Sequence, residues 1–134
     1  MFGSVCFHSS LTQELSHKLE LQQKRSLAVI LGSQYRSYRH ALSLTSLPRL
    51  DILRERATLN WAIKAQRNPL HSDMFPLNQS TVETRGRNKY QEYICFTMRY
   101  YNSAVPYMTR LLNSQEQTTK TDSITTKSGM IIPL

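Results

Sequence analysis

The chain is 134 residues long, 40% hydrophobic and 19% charged, and its 17 Lys and Arg against 9 Asp and Glu give a formal charge of +8. That length suits one small domain with a modest core, and the sign of the charge favours polyanions: nucleic acid first, an anionic membrane second, an acidic protein third. The longest apolar run, residues 27–31, is far too short to span a bilayer, and the two cysteines, Cys6 and Cys95, make no disulfide framework.

Ser10-Leu-Thr-Gln13 has the Ser-x-x-Gln form of a capping box and predicts that a first helix begins there. Leu11, Leu15, Leu19, Ser26, Val29 and Ile30 share about a third of its circumference, and Gly32 supplies the stop. Ser37 is expected to cap a short helix over residues 38–44, and Pro48 sits near the first turn of another, Leu50–Arg67. In that helix Leu50, Leu53, Ala57 and Trp61 form one apolar stripe, and Ile52, Leu59 and Ile63 form a second. A helix apolar on two faces is expected at the centre of a bundle, and Asn68-Pro69 ends it.

Residues 70–92, with Pro76, Gly86 and many Ser, Thr and Asn, read as a long loop. Residues 93–101 are aromatic and β-branched, which suits an extended segment or a turn into the next helix. Ser103 then caps a helix over 104–113 whose apolar side is Val105, Met108, Leu111 and Leu112, with Pro106 tolerated in the first turn. From Ser114 the Thr/Ser/Gln/Lys-rich chain is expected to be disordered. The expected fold class is all-α: a small helical bundle or α-hairpin with a long loop (about 69–93) and a disordered C-terminal tail.

Catalytic and metal chemistry lack their residues. A zinc site takes about four converging Cys or His ligands, but Cys6 and Cys95 have no partner cysteines and His8, His17, His40 and His71 are scattered. Cys95 has no neighbouring His or Lys to activate it and reads as a buried, inert thiol. No Ser occupies a Gly-x-Ser-x-Gly elbow, no glycine-rich loop can cradle phosphate, and Asp51, Asp73 and Asp122 are too isolated for two-metal phosphoryl transfer. The expectation is a non-enzymatic protein with no metal and no cofactor.

The charge is concentrated. Ten Lys/Arg and three acids lie between Lys18 and Arg67, and five Lys/Arg and one acid between Arg85 and Arg110. Basic residues interleave with aromatics in Tyr35-Arg36-Ser37-Tyr38-Arg39 and in Arg99-Tyr100-Tyr101, and Arg85-Gly-Arg87-Asn-Lys89 adds a basic loop. Arg and Lys neutralise phosphates while Tyr stacks on bases or sugars. The bland alternatives are Tyr at a core edge and a solvated basic surface. Candidate nucleic-acid-binding residues are Lys18, Lys24, Arg25, Tyr35, Arg36, Tyr38, Arg39, Arg85, Arg87, Lys89 and Arg99.

The order of short motifs carries a resemblance. His8-Ser-Ser-Leu-Thr12, Lys18-Leu-Glu-Leu-Gln-Gln-Lys-Arg25 and Ile30-Leu-Gly32 are followed by Tyr38-Arg-His-Ala-Leu42, Leu47-Pro-Arg-Leu50 and Leu53-Arg-Glu-Arg56. Asn68-Pro69, His71, Phe75-Pro76 and Arg99-Tyr-Tyr-Asn-Ser103 with Val105-Pro106 come next. Together, over residues 7–113, they resemble the C-terminal, post-palm region of non-LTR retrotransposon reverse transcriptases of the jockey-like class. Leu21, Ser26, Ile52-Leu53 and Ala65-Gln66 depart from the family pattern, as drift in a truncated copy would.

The resemblance implies a helical, thumb-side region that packs beside a template–primer duplex, and it transfers no catalytic residue, because the palm aspartates lie upstream. It divides the chain into a flanking segment (1–9), a reverse-transcriptase-related helical region (10–113) and a polar tail (114–134). The expected function is sequence-independent binding of RNA or DNA by a non-catalytic fragment. The alternatives are a protein-interaction module, docking or self-associating through Leu50–Arg67, and a retroelement remnant without a selected role. No membrane partner is expected. Residues 1–10 lack the basic start and unbroken apolar run of a secretory leader, so the expected location is intracellular, nuclear or cytoplasmic.

Overall fold

The computed structural model describes residues 3–82 and 87–129, without the side chains of 120–129. Its regular structure among those residues is helical, as expected: α1 (Ser4–Phe7), α2 (Gln13–Leu31), α3 (Tyr38–Thr45), α4 (Leu50–Arg67), α5 (Met98–Tyr101) and α6 (Ala104–Gly129). The chain divides into two compact units, Met1–Thr58 and Leu59–Leu134, and α4 contributes residues to both.

In the first unit the cap of α2 is Thr12, whose hydroxyl accepts the Leu15 N–H at 3.3 Å; the predicted cap, Ser10, instead belongs to the 3-10 turn His8–Ser10. A capping residue needs extended backbone, which Thr12 has and the turn denies to Ser10. Gly32 ends α2 at φ +52, a conformation that L side chains rarely adopt. Ser37 caps α3 by accepting the His40 N–H at 3.2 Å, as the sequence predicts.

The inward face of α2 is not the predicted apolar stripe. Val29 and Ile30 are 83% and 73% exposed, whereas the buried residues are Glu20 and Leu27, with half-buried Ser16, Gln23 and Leu31 in register. Hydrogen bonds hold the polar members of that line. Ser16 Oγ accepts from the Arg54 guanidinium at 2.8 Å, and the Gln23 amide donates to the Pro48 carbonyl at 3.3 Å. Hydrophobic periodicity cannot register a face whose burial depends on polar partners.

The two predicted stripes of α4 give way similarly. Arg54, Thr58, Ala62 and Ala65 are all at most 2% exposed and follow one helical face, while Ile52 and Trp61 are 39% and 38% exposed. Arg54 is the large residue among them, and its guanidinium meets neutral partners: Ser16 and, at 3.4 Å, His8 Nδ1. Its Nη1 has no hydrogen-bond partner among the described residues.

In the second unit the expected loop is tied down. Leu77 and Tyr90 form an antiparallel bridge, flanked by bonds of 2.9 Å from Asn78 N–H to the Lys89 carbonyl and from Gln91 N–H to the Pro76 carbonyl. Asn113 on α6 clamps the same backbone, accepting the Tyr90 N–H at 3.0 Å and donating to the Tyr90 carbonyl at 3.1 Å. The Tyr90 ring meets Phe75 edge-on, with centroids 6.5 Å apart, and its hydroxyl donates to Gln66.

Residues 93–97 lead into α5, which Thr97 caps at the Tyr100 N–H (3.2 Å). Ser103 directly precedes α6, with its hydroxyl donating to the Tyr100 carbonyl at 2.6 Å, and α6 buries Met108 and Leu112 together with Thr109 and Asn113. The helix does not stop at Asn113. It continues to Gly129. Ser114 and Thr118 hydroxyls donate to carbonyls one turn back at 2.9 and 3.0 Å, so the polar chain satisfies itself on the helix without an apolar face. Residues 130–134 lie outside the described residues.

Candidate functional site

A cleft of about 480 Å³ opens between α2 and α3 in the first unit. Its α2 side is His17, Glu20, Leu21 and Lys24, whose spacing of three, four and seven residues places them on one helical face. Its α3 side is Tyr38, Arg39 and Leu42, and Arg49 joins from the residue before α4.

One carboxylate organises these elements. Glu20 is 7% exposed, and it accepts the Tyr38 hydroxyl through Oε2 and the Asp51 N–H through Oε1 at 3.0 Å. Asp51 lies in the first turn of α4. Glu20 therefore caps α4 from another helix, where the unsatisfied N–H groups and positive dipole end favour an anion. Burial and the hydrogen bond to Glu20 push the Tyr38 phenol well above its ordinary value. Arg49 is partly offset by Asp51 at 3.4 Å. A second cleft, of about 380 Å³, shares His17, Glu20 and Arg49 with the first.

Of the residues expected to meet nucleic acid, Lys24, Tyr38 and Arg39 converge here. Lys24 and Arg39 are exposed and have no ion pair among the described residues. Arg25 and Arg36 are exposed outside the lining, and Tyr35 is half-buried outside it. Lys18 pairs with Glu14 at 3.2 Å on the open surface of α2. The Tyr38 hydroxyl is committed to Glu20, which leaves only its ring for a ligand.

In the second unit, Arg85 lies outside the described residues. Arg87 donates to the Asn78 carbonyl at 3.0 Å. Lys89 pairs with Glu116 at 2.9 Å, a bond that raises its ammonium above the ordinary value. These two fasten the loop, which differs from the solvated basic surface of the bland alternative. Arg99 is exposed beside Tyr100 and Tyr101, and the cation stacked on the Tyr101 ring is Arg110, at 3.7 Å.

His17, Glu20 and Arg49 were not among the expected site residues. Arg49 carries a local signal, since it follows Pro48 directly before a helix; Glu20 carries none, because its partners are 18 and 31 residues away. Cys95 is half-buried and its thiol donates to the Tyr93 carbonyl at 3.4 Å. Among the described residues no three His, Cys, Asp or Glu side chains gather as a metal site, and no helix is long and apolar enough to cross a membrane. No protein-family model, curated protein or solved structure matches the chain.

Proposed function

We propose that this chain is a non-catalytic helical fragment, related to the post-palm region of a non-LTR retrotransposon reverse transcriptase, that binds the phosphate backbone of RNA or DNA without sequence preference. The reading places it inside the cell, in nucleus or cytoplasm. Its main support is the convergence of Lys24, Arg39 and Arg49, from three separate stretches of chain, on one cleft. Cations held together at an open site release condensed counterions when they meet a polyanion.

Affinity for RNA, DNA and hybrid duplex, measured across a salt series, tests the reading. The logarithm of affinity falls linearly with the logarithm of salt, by about 0.9 per phosphate engaged on duplex DNA and about 0.7 on single strands. Lys24→Gln and Arg39→Gln each lower that slope by about one. Salt-independent binding, or none near physiological salt, overturns the reading.

A second reading, a protein-interaction module, draws on a different observation. Ile94, Phe96 and Met98 alternate along the chain before α6 at 76%, 93% and 71% exposure. Large apolar side chains left exposed so close together in the chain favour association. Concentration-dependent sedimentation supports it; a strictly monomeric species removes it.

A further inference from the structure

We propose that the cleft between α2 and α3 takes a single unpaired nucleotide, with the base seated against Leu21 and Leu42 and the phosphate held at the rim by Lys24, Arg39 and Arg49. The inference rests on the polyanion-binding reading and narrows it to strands that offer an unstacked base.

The shape is the first argument. At about 480 Å³ the cleft lies within the usual range of small-ligand sites. A duplex keeps the faces of its bases stacked and presents only base edges, sugar and phosphate, so it offers no base face to fill such a concavity. The distribution of charge is the second. Glu20, a carboxylate with 7% exposure whose two oxygens are taken by the Tyr38 hydroxyl and the Asp51 N–H, lies among the lining residues and repels a phosphate from the floor of the cleft. The cations that attract phosphate are Lys24 and Arg39, both exposed, and Arg49. A flat cationic patch for backbone alone does not need the apolar lining of Leu21 and Leu42. The third argument is Tyr38: its hydroxyl is fixed by Glu20, so its ring is a pre-set platform, and bases stack on such platforms without regard to sequence.

The test uses the full chain and three labelled probes across one salt series: a single strand of roughly ten nucleotides, an abasic strand of equal length, and a blunt duplex. The intact strand is expected to bind about tenfold more tightly than the abasic strand or the duplex, with the same salt slope as the abasic strand. Leu42→Gln is expected to erase that advantage while leaving the abasic strand unaffected. Equal binding of intact and abasic strands overturns the nucleotide site and leaves the backbone reading standing. Failure of all three probes to bind overturns both. Displacement of the intact strand from Arg39 by phosphatidylserine vesicles also overturns the inference, in favour of a lipid headgroup.

Discussion

Removing the Glu20 carboxylate should loosen the first unit more than any exposed charge does. Glu20→Ala deletes the acceptor for the Tyr38 hydroxyl and for the Asp51 N–H at 3.0 Å. Hydrogen bonds to a charged group contribute about 1.5–3 kcal/mol each, and an anion at a helix N-terminus adds about 0.3–1 kcal/mol. The neighbouring clefts admit water to the orphaned partners, which reduces the loss, so the expected cost is about 3 kcal/mol. Glu20→Gln keeps the shape and an acceptor but not the charge, and should cost about half of that. The control is Glu14→Ala, whose side chain is 78% exposed beside Lys18 and whose loss should cost under about 0.5 kcal/mol. Urea unfolding followed by far-UV circular dichroism gives all three values. A Glu20→Ala cost below about 1 kcal/mol, indistinguishable from the control, refutes the claim that this carboxylate joins α2, α3 and α4.

Because the Tyr38 phenol is raised above its unfolded value of 10.0, it stays protonated after the unfolded phenol has ionised. Its contribution is complete below pH 10 and declines as pH rises beyond it; burial raises the Tyr93 phenol as well, so alkaline titration followed by ultraviolet absorbance should show both as late tyrosines, of which Glu20→Gln brings only Tyr38 earlier. Arg54 is 1% exposed, with Ser16 and His8 as hydrogen-bond partners. Arg54→Met should therefore be neutral or stabilising by about 1 kcal/mol, while Arg54→Ala opens a cavity and costs about 2–5 kcal/mol; equal losses in denaturant melts would contradict this. Asn113→Ala strands both polar groups of the Tyr90 backbone and should cost about 2 kcal/mol. Hydrogen exchange at the Tyr90 amide should accelerate with it, and an unchanged exchange rate would rule out the clamp.

Much of the secondary structure was legible in the sequence. The bounds of α4, the Ser37 cap and the Gly32 stop all depend on residues within about a turn of one another, so local chemistry settles them. The same holds for the presence of Lys24, Tyr38 and Arg39 on neighbouring basic helices. Which side of α2 and of α4 turns inward was not legible, although the Met108 and Leu112 side of α6 was. The interior of the first unit uses Glu20, Ser16 and Arg54 where a hydrophobic pattern looks for leucines, and Val29, Ile30 and Trp61 were left wholly or partly in solvent.

The fate of the basic loop was equally hidden, because the partner of Lys89 is Glu116, 27 residues further on. Sequence alone determined the bounds of α4, the cap of α3, the stop of α2 and that the chain is cationic. Tertiary structure decided which cations share a cleft, through bonds such as Glu20 to Asp51 that span 31 residues. The reason is range: caps and stops act over one turn, whereas burying a charged or polar side chain requires a partner that only the folded chain brings near.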